Sequence, residues 1–295
     1  MIGEPIQAEQ LGVQLHCLRH AVRESLPRAL ESIRRLGLDV VELVSFPGCR
    51  GNPWGDFGTA ADLPPRSIRS ALENAGLRCP SVMVNALELA PARIDVALDW
   101  IAGVGADTVA LTAFSLPKGA TVPDWQAALA SANAHAERCR NRGLQFVLHT
   151  QPELWATVEG RSAIEFLPGL LDSSLVSLEY DPSGPVMHRA DPLRLFDDWR
   201  GEFHAVHLRD ARAPLEPVPY LPALPLGLGT IDWIAFLHAS RRAAVGWYFM
   251  EMEVAEAAQT LDALECSLAY LGSLGADVPA RAAAFHGLST LAGSA

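Results

Sequence analysis

RRLGLDVVELVSF, residues Arg34 to Phe46, passes from helical spacing through one glycine into a β-branched apolar run. In the segment before it Leu26, Leu30, Ile33 and Leu36 fall on one stripe, Ser25 stands at an N-cap position, and Pro27 lies in the first turn. Gly37 is placed to stop that helix in the left-handed conformation, after which DVVELV reads as a short buried strand. The same junction returns in ENAGLRCPSVMVN (73–85), AGVGADTVALTAF (102–114) and RNRGLQFVLHT (140–150). Repetition of helix, glycine and strand is the sequence form of a parallel sheet. LGVQLHCL near the N-terminus, SLVSLEYD (174–181), FHAVHLRD (203–210) and VGWYFMEME (245–253) bring the strands to about eight, the number that closes a (β/α)8 TIM barrel.

The remaining helical periods fit that α/β plan. Trp125, Leu129 and Ala132 face inward from a helix over 123–142, and DPLRLFDDW (191–199) opens on Asp191 with a proline after it. Ile234, Leu237 and His238 share or border one face of a helix over 231–243, and EAAQTLDALECSLAYLG covers the last strand. No Ser/Gly/Pro linker divides the chain, so the expectation is one TIM-barrel domain over residues 1–295, with a core from about 11 to 273 and a C-terminal extension over 274–295.

Composition narrows the function classes. The 295 residues are 49% hydrophobic and 19% charged, which suits a folded chain with a large core. A net charge of -11 without basic clusters argues against a nucleic-acid partner. No apolar run approaches the ~20 residues that span a bilayer, and the N-terminus lacks a signal-peptide pattern, so neither a membrane partner nor export is expected. Five cysteines without CxxC spacing fit reduced packing residues in a cytoplasmic protein. Self-association into a homo-oligomer is left open.

Ionisable residues gather where the strands end. A charge there is costly unless it is paired, binds a metal or faces the barrel mouth. VVELV carries Glu42; FVLHTQPE carries His149, Gln151 and Glu153; SLEYD carries Glu179 and Asp181; FHAVHLRD carries His204, His207, Arg209 and Asp210; FMEME carries Glu251 and Glu253. With a period of two, Glu179 shares a face with Asp181, His207 with Arg209, and Glu251 with Glu253. Imidazoles and carboxylates without thiolates suit a divalent ion, Mn, Zn, Mg or Co, in a catalytic site. Two Gly- and Pro-rich loops, 46–65 and 209–229, follow strand ends and are placed to build the active-site face. His16, Trp54, Phe57 and Trp155 are candidates to line the pocket, while Asp232 reads as a helix cap and Trp233 as a packing residue.

VHLRD, PLGLGTIDW, WYFMEME and LGLDVVEL, in that spacing, resemble the xylose isomerase-like sugar phosphate isomerase/epimerase superfamily, barrels of the AP endonuclease 2 type. The resemblance implies metal ligands at Asp181, His207 and Glu251. On the fifth strand, where many relatives carry a glutamate ligand, this chain has His149 followed by Gln151, and His149, Asp181, His207 and Glu251 still make a chemically sensible set. The family's histidine three residues after the sixth-strand aspartate is replaced by Gly184, and His188 is out of register. Glu251 and His149 are the expected proton carriers; Arg209, Gln151, Glu42, His16 and Trp54 are the expected substrate contacts, with Asp210 holding Arg209. The implied activity is a metal-dependent isomerase or epimerase on a sugar-like hydroxyketone. The alternatives are a dehydratase or lyase on a cyclic polyol ketone, and a barrel subunit without catalysis.

Overall fold

The computed structural model describes residues 5–44, 63–214, 223–252 and 257–279. Eight strands close into a barrel: β1 (Leu11–Gln14), β2 (Val40–Val44), β3 (Ser81–Asn85), β4 (Thr108–Ala113), β5 (Gln145–His149), β8 (Val176–Tyr180), β9 (Phe203–Leu208) and β10 (Trp247–Met250). Each pairs with its neighbours in parallel, and β1 meets β10 to complete the ring. The expected (β/α)8 TIM barrel is therefore the fold. A two-residue hairpin, β6 (Thr157–Val158) with β7 (Arg161–Ser162), stands apart from it between β5 and β8.

Period two sorts the strand side chains into two cores. Val41, Leu43, Val82, Val84, Phe146, Leu148, Val206 and Leu208 face outward into the large apolar cluster shared with the helices. Val44, Met83, Ala110 and Val147 pack together as one inward-facing cluster, and Val40, Ala205 and Phe249, with Trp247 against them, as another. Gly12 belongs to that second layer. A Cβ on it would lie 2.8 Å from the Val40 carbonyl oxygen and 3.0 Å from Phe249 Cδ1, so the missing side chain admits the Phe249 ring.

The helices follow from local chemistry. α1 is Arg19–Glu24, and α2 (Leu26–Arg35) is capped by Ser25, whose Oγ accepts from the Arg28 amide. α3 (Pro65–Ala75), α4 (Ile94–Val104) and α5 (Val122–Arg140) follow, the last opened by a Thr121–Asp124 capping box. Gly37, Gly76, Gly105 and Gly143 all have positive φ, as the four junctions require. After β5 the chain runs through a 3-10 turn (Pro152–Trp155) and the short α6 (Leu167–Leu170), and after β8 through α7 (Ser183–Met187). The helix expected over 191–199 is shorter, α8 at Arg194–Asp198, because the Asp191 carboxylate accepts from the Leu193 amide and spends the first residues in a turn. In α9 (Trp233–Arg242) the buried stripe is Trp233, Phe236, Leu237 and Ser240, so of the three residues read as sharing or bordering one face Leu237 is buried, while Ile234, 69% exposed, and His238 face out. α10 (Ala257–Ser273) closes the ring of helices.

Candidate active site

The strand register sets the level of each functional side chain. Gln14 lies opposite Glu42, His149 opposite Glu179, and His207 opposite Phe249. Glu179 therefore sits one inward position deeper than Asp181, and His207 one deeper than Arg209. All of these ionisable groups are buried; Glu42, Glu179, Asp181 and His207 are each 0% exposed.

His207 is the hub. Its Nδ1 lies 2.8 Å from Glu251 Oε2 and its Nε2 2.9 Å from Glu42 Oε2, with Glu179 Oε1 3.5 Å from the same Nε2. Burial alone would discharge the imidazole, but Glu179, Glu251 and Glu42 together hold its pKa well above the ordinary value. Burial, then the charge of Glu179, push Glu42 up to about 7 against the pull of His207. Glu251 goes the other way: burial opposes its charge, but Arg209 and His207 keep it well below the usual carboxylate range.

Arg209 reaches across the mouth, with Nη1 3.3 Å from Asp181 Oδ2 and 3.8 Å from Glu251 Oε1. Asp210 does not hold Arg209, as the sequence suggests. Its carboxylate accepts from the backbone amides of Ala211 (2.9 Å), Gly227 (2.8 Å) and Gly229 (3.0 Å), pinning the segment that leads into α9. This accounts for the glycines of PLGLGTIDW: Gly227 has φ +85, and a Cβ on Gly229 would lie 1.9 Å from Asp210 Oδ1. Asp232 caps α9 through the Ala235 amide, and Trp233 is buried.

His149 has a different neighbourhood. Its ring centroid is 4.5 Å from that of His207, and its Nδ1 is 3.3 Å from Thr112 Oγ1, which in turn accepts from Gln151 Nε2. Burial, then the adjacent His207 charge, press its pKa down to about 4, so the ring is neutral at pH 7. Gln151 thus acts on His149 through Thr112. Thr112 was not among the sequence candidates, although its inward parity near the end of β4 marks it.

Of the other candidates, His16 is buried in the 3-10 turn after β1, its amide donating to Gln14 Oε1. Glu153 and His188 are exposed, and His204 points outward from β9. Trp155 stacks 6.4 Å from Tyr180 and fills the space over Gly184, where a Cβ would come within 2.6 Å of its indole Cδ1. Trp54, Phe57, Glu253 and most of the 46–65 loop lie outside the described residues. Glu88, in the turn after β3, is buried as well; burial lifts its pKa to about 9 although Oε2 accepts from the Asn85 amide at 3.1 Å.

The donor set fits a divalent cation. One ligand atom each from Asp181, His207 and Glu251 lie within 4.8 Å of one another, and the same holds for His149, Glu179 and His207. Buried acceptors without a hydrogen-bond partner, His149 Nε2, Glu42 Oε1 and both oxygens of Glu179, point to a missing positive group. The described residues place His149 with Glu179 rather than with Asp181 and Glu251.

Neither a family model nor a curated protein matches the chain. Solved structures do. A sugar phosphate isomerase/epimerase from Parabacteroides distasonis superposes with a TM-score of 0.70 at 16% identity, covering 92% of this chain and 96% of that one. A xylose isomerase domain protein from Salmonella typhimurium gives 0.65 at 15% identity over 91% and 99%. The IolI protein with a bound zinc atom gives 0.68 at 11% identity over 90% and 97%. At these identities the likeness is one of fold.

Proposed function

We propose that the chain is a cytoplasmic, divalent-metal-dependent isomerase or epimerase of carbohydrate metabolism, acting on a small sugar-like hydroxyketone. The observation that carries this reading is the convergence of His149, Glu179, Asp181, His207 and Glu251, all buried, at the C-terminal end of the barrel, where catalytic groups of this architecture sit. The zinc atom bound by the similarly folded IolI protein supports it, and the buried cysteines Cys79, Cys139 and Cys266, outside any disulfide, suit the cytoplasm.

The roles follow from the electrostatics. Glu251 is ionised near pH 7, because Arg209 and His207 offset its burial, and so begins as the proton acceptor. It takes the proton from the carbon beside the substrate carbonyl and returns it to the neighbouring carbon; inversion at the same carbon would need a second proton carrier on the opposite face, the part left to His149. A bound divalent ion supplies polarisation of the carbonyl, which makes that carbon acidic. Arg209 presents a guanidinium beside Asp181 and Glu251 that orients a hydroxyl, carboxylate or phosphate of the substrate. Neutral His149, held by Thr112, serves as ligand or as second proton carrier. Gln151 and Glu42 act through His149 and His207 in this reading, while His16 lies near the mouth and Trp54 remains a proposed pocket residue.

A dehydratase on a cyclic polyol ketone is the second reading, favoured by one feature. With His149 in place of a fifth-strand glutamate there is one carboxylate base and one imidazole, enough to remove a proton and assist departure of a hydroxyl. Metal-loaded protein is incubated with hydroxyketones in deuterated water. Deuterium at the α-carbon with unchanged composition supports the isomerase, product lighter by one water supports the lyase, and no exchange with any hydroxyketone overturns both.

A further inference from the structure

Glu251 stands just past the last paired residue of its strand. The register of β1 with β10 ends at Val13 opposite Met250. On the other side the Glu251 amide donates to the Leu208 carbonyl at 3.3 Å, so β9 still holds the chain there. β1 cannot follow, because Gln14 Oε1 accepts from the His16 amide at 2.8 Å and the chain turns into a 3-10 helix over Leu15–Leu18. That turn carries Cys17 back over the end of β10. Its Sγ accepts from the Met252 amide at 2.9 Å and donates to the Met250 carbonyl at 3.7 Å, so one thiol bonds the backbone on both sides of Glu251. Cys17 and Met252 are 2% and 0% exposed, and their burial keeps bulk water from these bonds.

We infer that Cys17 is a positioning residue for Glu251, its thiol taking over the part of the strand ladder that β1 gives up. The inference rests on the proposed reading for what Glu251 does, and adds how that carboxylate is kept in place. Glu251 meets His207 Nδ1 at 2.8 Å and Arg209 Nη1 at 3.8 Å from a stretch of chain whose amides, among the described residues, are held by Leu208 on one side and Cys17 on the other. A displacement of about 1 Å in a reacting group can cost about 100-fold in rate, so the loss of one of two anchors bears directly on the chemistry. A packing role would need only a small apolar side chain, which is what Cys139 supplies inside α5. The 3.7 Å reach to Met250 suits sulfur; a serine hydroxyl in this place restores the acceptor for the Met252 amide alone.

The test compares the Mn2+-loaded full chain as wild type, Cys17→Ala, Cys17→Ser and, as a packing control, Cys139→Ala. Dihydroxyacetone is the first probe, replaced by whichever hydroxyketone the wild type exchanges fastest. Cys17→Ala is expected to lower kcat for α-proton exchange by about tenfold or more with KM within about threefold, and Cys17→Ser to recover at least half of that loss on a logarithmic scale. Cys139→Ala is expected to lower Tm as much or more and to leave kcat within about twofold. The inference is overturned if Cys17→Ala loses less than about tenfold, if Cys17→Ser is as slow as Cys17→Ala, or if Cys139→Ala slows exchange equally. Absence of exchange with every hydroxyketone overturns the proposed function instead, and the clamp is then decided by hydrogen exchange at the Met252 amide. Exchange about fivefold or more faster in Cys17→Ala than in wild type, and slow again in Cys17→Ser, supports it; an unchanged rate overturns it. Should Cys17→Ala not fold, Cys17→Val, which fills the place without a polar atom, is measured in its stead.

Discussion

Asp210→Ala is expected to be among the most damaging substitutions in this chain, although residue 210 touches none of the reacting groups. The carboxylate is fully buried and accepts from three backbone amides, those of Ala211, Gly227 and Gly229. A hydrogen bond to a charged acceptor contributes about 1.5–3 kcal/mol; the buried Ala211 donor carries that penalty in full and the part-exposed Gly227 and Gly229 donors less, so the loss is roughly 3–4 kcal/mol. At about 2–4 °C per kcal/mol for a chain of this size, Tm falls by roughly 10 °C. Asp210→Asn should lie between. Its amide oxygen can replace Oδ2, which serves Gly227 and Gly229, but its NH2 then faces the Ala211 amide, at a cost of about 2 kcal/mol. Differential scanning calorimetry of the three proteins measures the order directly. A loss below about 1 kcal/mol for Asp210→Ala would refute the reasoning. Gly229→Ala is an independent check, because its Cβ would press on Asp210 Oδ1 at 1.9 Å and break the same clamp from the other side.

Glu88 gives a pH dependence. Its folded pKa of about 9 exceeds the ordinary 4.5, so between those values the folded chain keeps a proton that the unfolded chain has lost. Stability from this group is complete below the lower value and declines by up to ~1.4 kcal/mol per unit as pH rises toward the upper. Glu88→Gln should flatten that decline, gaining about 3 kcal/mol on wild type between pH 6 and 8.5; parallel Tm-versus-pH curves would contradict it. Thr112→Val removes the group that orients His149 and should weaken Mn2+ binding about 10-fold with little change in Tm, so unaltered affinity counts against the relay. Gly184→Ala should cost about 1–3 kcal/mol through contact with Trp155 and much less in a Trp155→Leu background; equal costs in both would exclude the clash. Glu251→Gln should slow α-proton exchange of an accepted substrate by about 100-fold or more, and retained exchange would remove it as the base.

The barrel was legible because its signal is local and repeated. Gly37, Gly76, Gly105 and Gly143 each adopt the positive φ that their junctions demand, and the strand residues after them alternate between two cores. The same parity turns His149 and Glu179 toward His207 in one group, and Asp181 and Glu251 toward it in another. What parity could not supply is level and partner. Glu179 and Asp181 share a face, yet the register sets Glu179 beside His149 and leaves Asp181 to Arg209. Asp210 looked like a mate for Arg209 because it is next in sequence, but adjacent residues leave a strand on opposite sides, and its partners are amides 17 and 19 positions away. Ile234 was misplaced because a one-residue error in phase turns a helix face by about 100°.

The Phe249 ring resting on Gly12, with Val40 and Ala205 beside it, has a bearing on traffic. That layer makes the ring of strands a cup with a solid base instead of a pipe. Among the described residues, that base closes the inner end of the barrel, so a small molecule entering the site would come and go through the C-terminal mouth. Gly12→Val, by forcing the Phe249 stopper aside, would be expected to open a leak at the foot of the cup, visible as faster hydrogen exchange of the buried β1 and β10 amides.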